Sequence, residues 1–391
     1  MEVNQMETLF PNQLSVSRDL EIFPICNYKW FLQRCCRLYK YATNVDLEAG
    51  GEFAKAMEIV RNAYYKDGLS EEAAVELGVN NILTSYAETY NSNTWKESVK
   101  SPEKMAEVLR SMFKENSMED TTIVPFEMSD GELSVEQEFS VELPIVNPDT
   151  GKPIILKGLL DMLGMRGNTV FGVDEKTCKS VLTDTILQAD LLRTSNQFVC
   201  YVNLANKNKE KFGDVEVTHF KVHKCKVKEK YNKSENVVEG YEFLIDIWFQ
   251  KAWWENMLYL VNDMVGKYLR FKSTQVYVNS YQADNNDYDA EFDLHTLQNI
   301  VFFPRSYGHA CTLFFKPCIF TYHCTSGSGQ NLLEQGFKQV VLESGTKGYE
   351  IPLHDWRKHV LEGVPFEDIT PKLEATKESA SLTFDDFLGT F

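Results

Sequence analysis

The stretch that most constrains this chain is a pair of short runs, Lys157 to Met165 and Thr169 to Thr177, joined through Arg166-Gly167-Asn168. Aliphatic and β-branched residues dominate both runs, which predicts strands, and Gly167-Asn168 suits a two-residue hairpin turn that needs positive φ. Apolar and polar residues do not alternate here: Leu159-Leu160 and Val170-Phe171-Gly172-Val173 leave neither face polar. A hairpin that is apolar on both faces belongs in the middle of a sheet covered on both sides. If Arg166 pairs with Thr169, Asp161 stands directly opposite Asp174, with Cβ atoms about 4.5–5.5 Å apart. Two facing carboxylates destabilise a sheet unless something neutralises them, and a divalent cation does so.

Asp174 and Lys176 are two residues apart and share a face, whereas Glu175 points the other way and offers its backbone carbonyl as a ligand. Two carboxylates, a carbonyl and water form the hard oxygen set that Mg²⁺ or Mn²⁺ prefers. Lys176 is then placed to orient or deprotonate an attacking water, or to stabilise charge developing on a phosphate. Together these parts predict metal-assisted phosphodiester hydrolysis. The Asp-Glu-Lys tripeptide alone carries little, because 57 acids and 40 bases in 391 residues put an acid two places before a base about six times by chance. Its weight comes from the facing Asp161 and the apolar surroundings.

The rest of the chain supplies the covering layers. A hydrophobic content of 43% with 13% aromatics is enough for a sizeable core and excludes a disordered chain. Up to about residue 115 the pattern is helical: Phe53, Met57, Val60 and Tyr64 recur on one face, and Ser70 and Ser101-Pro102-Glu103 are helix starts. Alternation from Glu132 and the run Pro153-Ile154-Ile155-Leu156 predict the start of a sheet. A helix over 184–206 is expected, with Leu187, Leu191, Phe198 and Val202 on one stripe. Strands over 215–228 and 241–249 come next, then an amphipathic helix carrying Trp253, Met257, Val261 and Met264. The fold class expected is α/β with mixed α+β character: a mixed central sheet flanked by helices, preceded by an N-terminal helical region.

The formal net charge of −17 excludes a surface that binds polyanions everywhere, so any nucleic-acid site must be a local basic patch. No run suits a membrane span, and the opening residues lack a secretory profile, so a cytoplasmic protein is expected. Nine cysteines are an odd number for a disulfide framework and favour metal or thiol chemistry. No Gly-x-x-x-x-Gly-Lys-Ser/Thr loop is present, so no nucleotide-driven motor is expected.

Gly158-Leu159-Leu160-Asp161, Asp174-Glu175-Lys176-Thr177 and Gln197-Phe198-Val199-Cys200-Tyr201 succeed one another along the chain. In that order they resemble the PD-(D/E)XK nuclease superfamily, in its RecB-like branch with an iron–sulfur cluster, and most closely its phage-encoded members. The three segments look like the family's Gly-x-x-Asp motif, Asp-x-Lys-Thr strand and Gln-x-x-x-Tyr helix. The resemblance implies a restriction-endonuclease-like core and catalytic roles for Asp161, Asp174, Lys176, Gln197 and Tyr201. It implies a metal held by Asp161, Asp174 and the Glu175 carbonyl, with Glu136 as a further acid from the preceding strand. Gln197 and Tyr201 lie one helical turn apart and can reach one scissile phosphate. The sequence departs from the pattern at Ala54, where many RecB-like members carry a histidine ligand.

Ser15-Val16-Ser17 through Cys26 resembles the family's N-terminal segment ending in the first cluster cysteine, and Cys311, Cys318 and Cys324 resemble its C-terminal trio. Four thiolates match a 4Fe–4S cluster, and a structural Zn²⁺ uses the same ligands. Cys35, Cys36, Cys178, Cys200 and Cys225 read as buried thiols. The resemblance spans residues 14 to 325. It divides the chain into an N-terminal helical region (14–118), the nuclease core (119–275), a cluster-binding region (276–344) and an acidic tail (345–391).

The resemblance thereby implies an Mg²⁺- or Mn²⁺-dependent deoxyribonuclease, expected to act as an exonuclease on single strands or duplex ends in recombination, repair or phage DNA metabolism, in the host cytoplasm if phage-encoded. Segment 204–233 holds nine lysines against four acids, and Lys224, Lys226 and Lys228 are candidate DNA contacts. The tail, ending in Asp385-Asp386-Phe387-Leu388, is a candidate dock for a recombination or single-strand-binding protein. The alternative is a catalytically inactive subunit of a nuclease complex that binds nucleic acid or a partner.

Overall fold

The hairpin does lie inside a sheet. The computed structural model describes residues 8–40, 45–91, 98–119, 123–179, 181, 184–228, 236–285, 302–306, 311, 318–320, 324 and 337–339, all within one compact unit, Met1–Ile351. The acidic tail lies outside the described residues.

Seven strands form one mixed sheet: β1 (Gln13–Ser15), β3 (Val124–Pro125), β4 (Val135–Val146), β5 (Pro153–Arg166), β6 (Thr169–Cys178), β7 (Val217–Lys226) and β8 (Val238–Leu244). A separate antiparallel pair joins β2 (Leu38–Lys40) to β9 (Phe337–Gln339). The expected α/β class with a mixed sheet is what forms. Helices α3 (Val45–Arg61), α4 (Glu71–Asn81), α5 (Ala87–Asn91) and α6 (Pro102–Glu115) make the N-terminal helical region, preceded by the short α1 (Ile22–Ile25) and α2 (Asn27–Trp30). Ser70 and Ser101 cap α4 and α6, their side chains accepting from Ala73 and Lys104 N–H at 3.3 Å each. Phe53, Met57 and Val60 are buried.

The pairing of β5 creates the functional opening. β4 runs antiparallel along one edge of β5 from Pro153 to Met162, and β6 holds the other edge from Arg166 to Met162. There β6 leaves β5 and continues beside β7 in parallel. The vacated edge is taken up again only at Lys157, by the parallel strand β1. Gly158 to Asp161 therefore face a split in the sheet. β1 is anchored by a buried network in which Asp19 accepts from Ser15 N–H (2.8 Å), Trp30 Nε1 (2.9 Å) and Arg34 Nε (2.6 Å).

One face of the sheet packs on α8 (Asn196–Lys207), where Phe198 meets Phe220 at 4.7 Å. The other, with Cys225 and Val238, packs on α3, α4 and α6. The long α9 (Ile247–Asn285) buries Trp253, Met257, Val261 and Met264 as expected, and its Tyr268 and Phe271 contact Phe10 and Phe31 of the N-terminal segment.

Three expectations are corrected. The helix over 184–206 is two helices, α7 (Thr185–Arg193) and α8, because Ser195 takes an extended conformation (φ −64°, ψ 126°) between them. The break changes the axis, so Leu187 and Leu191 are exposed while Phe198 and Val202 are buried. The strand expected over 241–249 ends at Leu244, because Asp246 accepts from Trp248 N–H at 2.7 Å and starts α9. In the hairpin turn, Gly167 alone has positive φ, at +59°, and Asn168 does not.

Candidate active site

The predicted register holds, from Arg166↔Thr169 through Met162↔Val173. One step further would set Asp161 against Asp174, but there the ladder ends and a side chain takes over. Asp161 Oδ2 accepts the backbone N–H of Glu175 at 2.8 Å. Asp174 is fully buried, and Lys176 Nζ lies 2.9 Å from its Oδ1 and 2.8 Å from its Oδ2. The strand's period of two places Asp174 and Lys176 on the α8 face and Glu175 on the opposite one.

On the α8 face, Gln197 Nε2 donates to Tyr201 Oη at 2.8 Å. The glycine of Gly158-Leu159-Leu160-Asp161 has a packing reason: a Cβ there would stand 2.8 Å from Leu204 and 3.0 Å from the Tyr201 ring. A bare backbone lets α8 come close enough to bring Tyr201 to the split.

The charges respond to one another. Burial raises the Asp161 carboxyl well above its ordinary value, and the Asp174 charge adds to this. Burial also raises Asp174, against the pull of Lys176. For Lys176, burial disfavours the ammonium, but Asp174 and Asp161 outweigh it and hold the group above its ordinary value. Tyr201 is pushed up by burial, with Lys176 opposing and Asp174 adding. Asp161, Asp174, Lys176, Gln197 and Tyr201 thus converge on one site.

A family model of the PD-(D/E)XK nuclease superfamily matches residues 13–305, about three quarters of the chain. The chain belongs to the PD-(D/E)XK nuclease superfamily. Members are generally metal-dependent phosphodiester hydrolases. No curated protein matches the chain.

The site fits the superfamily's metal in its donors. Asp174 Oδ2 is buried with no hydrogen-bond partner among the described residues, although it touches the Lys176 ammonium. Two buried acids, both raised above their ordinary values and with one ammonium on Asp174, are an environment a hard cation relieves. Among the described residues no group of three or more His, Cys, Asp or Glu side chains is arranged to hold a metal. Two carboxylates completed by carbonyl, water or phosphate oxygens suffice for Mg²⁺.

Three further acids lie near the site: Glu136, which the resemblance implied, and Glu58 and Glu21, which sequence reasoning missed. Glu136 falls in register opposite Asp161 between the pairs Val135↔Met162 and Gln137↔Leu160, but its φ of +49° interrupts the ladder. Burial raises its carboxyl to about 7, with Glu58 on α3 contributing next. Glu58 lies one turn after Ala54 on α3. Burial raises the Glu21 carboxyl, against the pull of Lys176. The interleaved acids gave no periodic signal, since their proximity depends on three separate segments.

The Glu175 side chain does what no motif announces. Its Oε1 accepts from Arg61 Nη2 at 2.5 Å and lies 3.2 Å from His223 Nδ1, all three side chains being buried. Burial pushes this carboxyl up, but Arg61 and then His223 outweigh it and hold it at about 2. Arg61 Nη1 also reaches the Asp161 carbonyl at 3.4 Å. Oε2 has no hydrogen-bond partner among the described residues.

None of the four cysteines expected to bind a cluster forms a disulfide. Cys26 sits at the start of α2 and its Sγ accepts from Lys29 N–H at 3.5 Å, while Cys318 N–H donates to the Cys311 carbonyl at 2.7 Å. Burial raises Cys318 and Cys324, the latter to about 11; the charges of Cys26 and Cys311 add to both. The four are near enough to act on one another, yet no three of them stand in ligating geometry among the described residues. Of the candidate DNA contacts, Lys224 pairs in register with Lys176 and shares the Asp174 face. Lys228 is half-buried. Lys226 is buried and ion-paired with Glu239 at 3.0 Å. No helix among the described residues is long and apolar enough to cross a membrane.

Proposed function

We propose that this protein is a DNA nuclease, dependent on Mg²⁺ or Mn²⁺ and acting from DNA ends as an exonuclease. The observation that carries the reading is Lys176 bound to a buried Asp174 beside Asp161, at the split in the sheet, under Tyr201 and Gln197. A bound metal supplies Lewis-acid stabilisation of the phosphate and a more acidic water. Asp161 and Asp174 would hold it, with the Glu175 carbonyl. Lys176, paired with Asp174, is placed to stabilise negative charge developing on the phosphate. Gln197 and Tyr201, already paired, orient the scissile phosphate.

The proposal extends to a RecB-like, phage-type member. Its support is the order of the three motifs together with Cys26, Cys311, Cys318 and Cys324, which would supply the four thiolates of a 4Fe–4S cluster, or of a structural zinc in its place, as the link between the 14–118 and 276–344 regions around the 119–275 core. Digestion of end-labelled linear and closed circular DNA with Mg²⁺ or Mn²⁺ tests the activity. Linear DNA is expected to be degraded from its ends and circles to survive; cut circles overturn the exonuclease assignment. Asp174→Ala is expected to abolish cleavage while metal-free stability holds or rises, since one of two crowded carboxylates is gone. Full activity in that variant refutes the site.

A further inference from the structure

On the sheet face opposite the catalytic carboxylates, between α3, α6 and strands β5 to β7, lies a cavity of about 310 Å³, within the range of small-molecule sites. Met57, Met112, Phe113, Met118 and Met162 line it, flexible and polarisable side chains that adapt to flat rings. Most polar groups around it are engaged. Arg61 is held by Glu175, and Glu115 accepts the N–H groups of Val237 and Val238 at 3.0 and 2.9 Å.

Two groups are not. Lys221 faces Glu242 across the β7–β8 ladder, but Arg166 takes both oxygens of that carboxylate, at 2.5 and 3.1 Å. Lys221 makes no ion pair among the described residues, and burial holds its ammonium below its ordinary value. His223 has Nδ1 on Glu175, and its Nε2 is buried with no hydrogen-bond partner among the described residues. The two side chains lie together: Lys221 Cε and His223 Cδ2 are each 3.6 Å from where a Cβ on Gly240 would stand. Nδ1, facing the Glu175 carboxylate, carries the ring hydrogen and leaves Nε2 as a lone pair without a donor among the described residues. Next to a half-buried ammonium that makes no ion pair among them, this favours an anionic ligand that also carries a hydroxyl.

Such a ligand beside an apolar, sulfur-rich floor is an aromatic anion. We propose that the cavity binds a nucleoside monophosphate, with its phosphate at Lys221, a sugar hydroxyl donating to His223 Nε2 and its base against the methionines and Phe113. The choice of a nucleotide among aromatic anions rests on the nuclease reading, because hydrolysis from DNA ends releases such molecules. Met162 and Val173, which adjoin Asp161 and Asp174, line the cavity from the hairpin itself.

Calorimetric titration of the full chain with each 2′-deoxynucleoside monophosphate, in EDTA, tests the site. Binding of one nucleotide per chain is expected. Lys221→Met should weaken it by about ten- to a hundredfold, the loss of one charge-assisted contact, and Lys221→Arg should retain it. Asp174→Ala should leave it unchanged. Absence of saturable binding by all four nucleotides overturns the proposal. So does binding that survives Lys221→Met but is lost in Asp174→Ala, and so does inorganic phosphate binding as tightly as the nucleotide. Titration does not require cleavage, so the two readings fail separately. A chain that binds nucleotide here and leaves DNA intact keeps this site and loses the nuclease, and one that cuts DNA and binds none does the reverse.

Discussion

Replacing Arg61 by alanine tests the support beneath the catalytic strand. The Arg61 and Glu175 side chains are only 6% and 1% exposed, and their contact is 2.5 Å. Removing one partner of such a pair leaves a buried carboxylate with His223 as its sole remaining partner among the described residues, and typically costs about 3–5 kcal/mol. The retained histidine contact places the expected loss near the lower end, about 3 kcal/mol. Urea unfolding in metal-free buffer at pH 7.5 measures it as a lower midpoint at unchanged slope. The pH dependence has a definite sign. Glu175 is held at about 2 in the folded protein, so its contribution is present above the ordinary carboxylate value and is lost as pH falls through about 2. Without Arg61 the depression disappears and burial lets Glu175 protonate earlier, so the Arg61→Ala penalty should shrink between pH 7.5 and pH 4. Arg61→Met combined with Glu175→Met should recover most of the loss, since apolar packing replaces both charges. A single-variant loss below about 1 kcal/mol, or a double variant as unstable as the single, refutes the reasoning.

Burial raises Asp161, Asp174 and Glu136, the last to about 7, so their stabilising contribution is full below the ordinary carboxylate range and is lost as pH rises through the folded values. Thermal midpoints without metal should therefore fall from pH 5.5 to pH 8, and Mg²⁺ should raise them more at pH 8; equal metal shifts at both values would count against a carboxylate metal site. Lys224→Met should weaken DNA binding and reduce its logarithmic salt slope by roughly 0.7–0.9 per lost phosphate contact. Lys226→Met should instead lower stability with the slope unchanged, because that ammonium is paired with Glu239. Protein purified without air should be brown and hold about four irons, and Cys26→Ser should bleach it while Cys178→Ser does not; colourless protein with one zinc per chain would exchange the cluster for a zinc site.

Much of the site was legible in the sequence. The two-residue period of a strand and the turn at Gly167 set which residues of one hairpin share a face and which oppose, so Asp161, Asp174 and Lys176 could be brought together by counting. The same holds for Gln197 and Tyr201, one turn apart on a helix, and for the caps at Ser70 and Ser101, where a side chain serves its own local backbone. Elsewhere the chain's periodicity ran past a boundary, as at Ser195 and Asp246, where one residue's conformation ended an element that the apolar pattern would have continued. Only the tertiary structure decided what surrounds the motif. Arg61 and Glu175 are 114 residues apart, Glu58, Glu136 and Glu21 come from three separate segments, and nothing in their spacing says that they meet. Local geometry is encoded by neighbours in sequence, whereas the partner of a buried charge is chosen by whichever distant element packs against it.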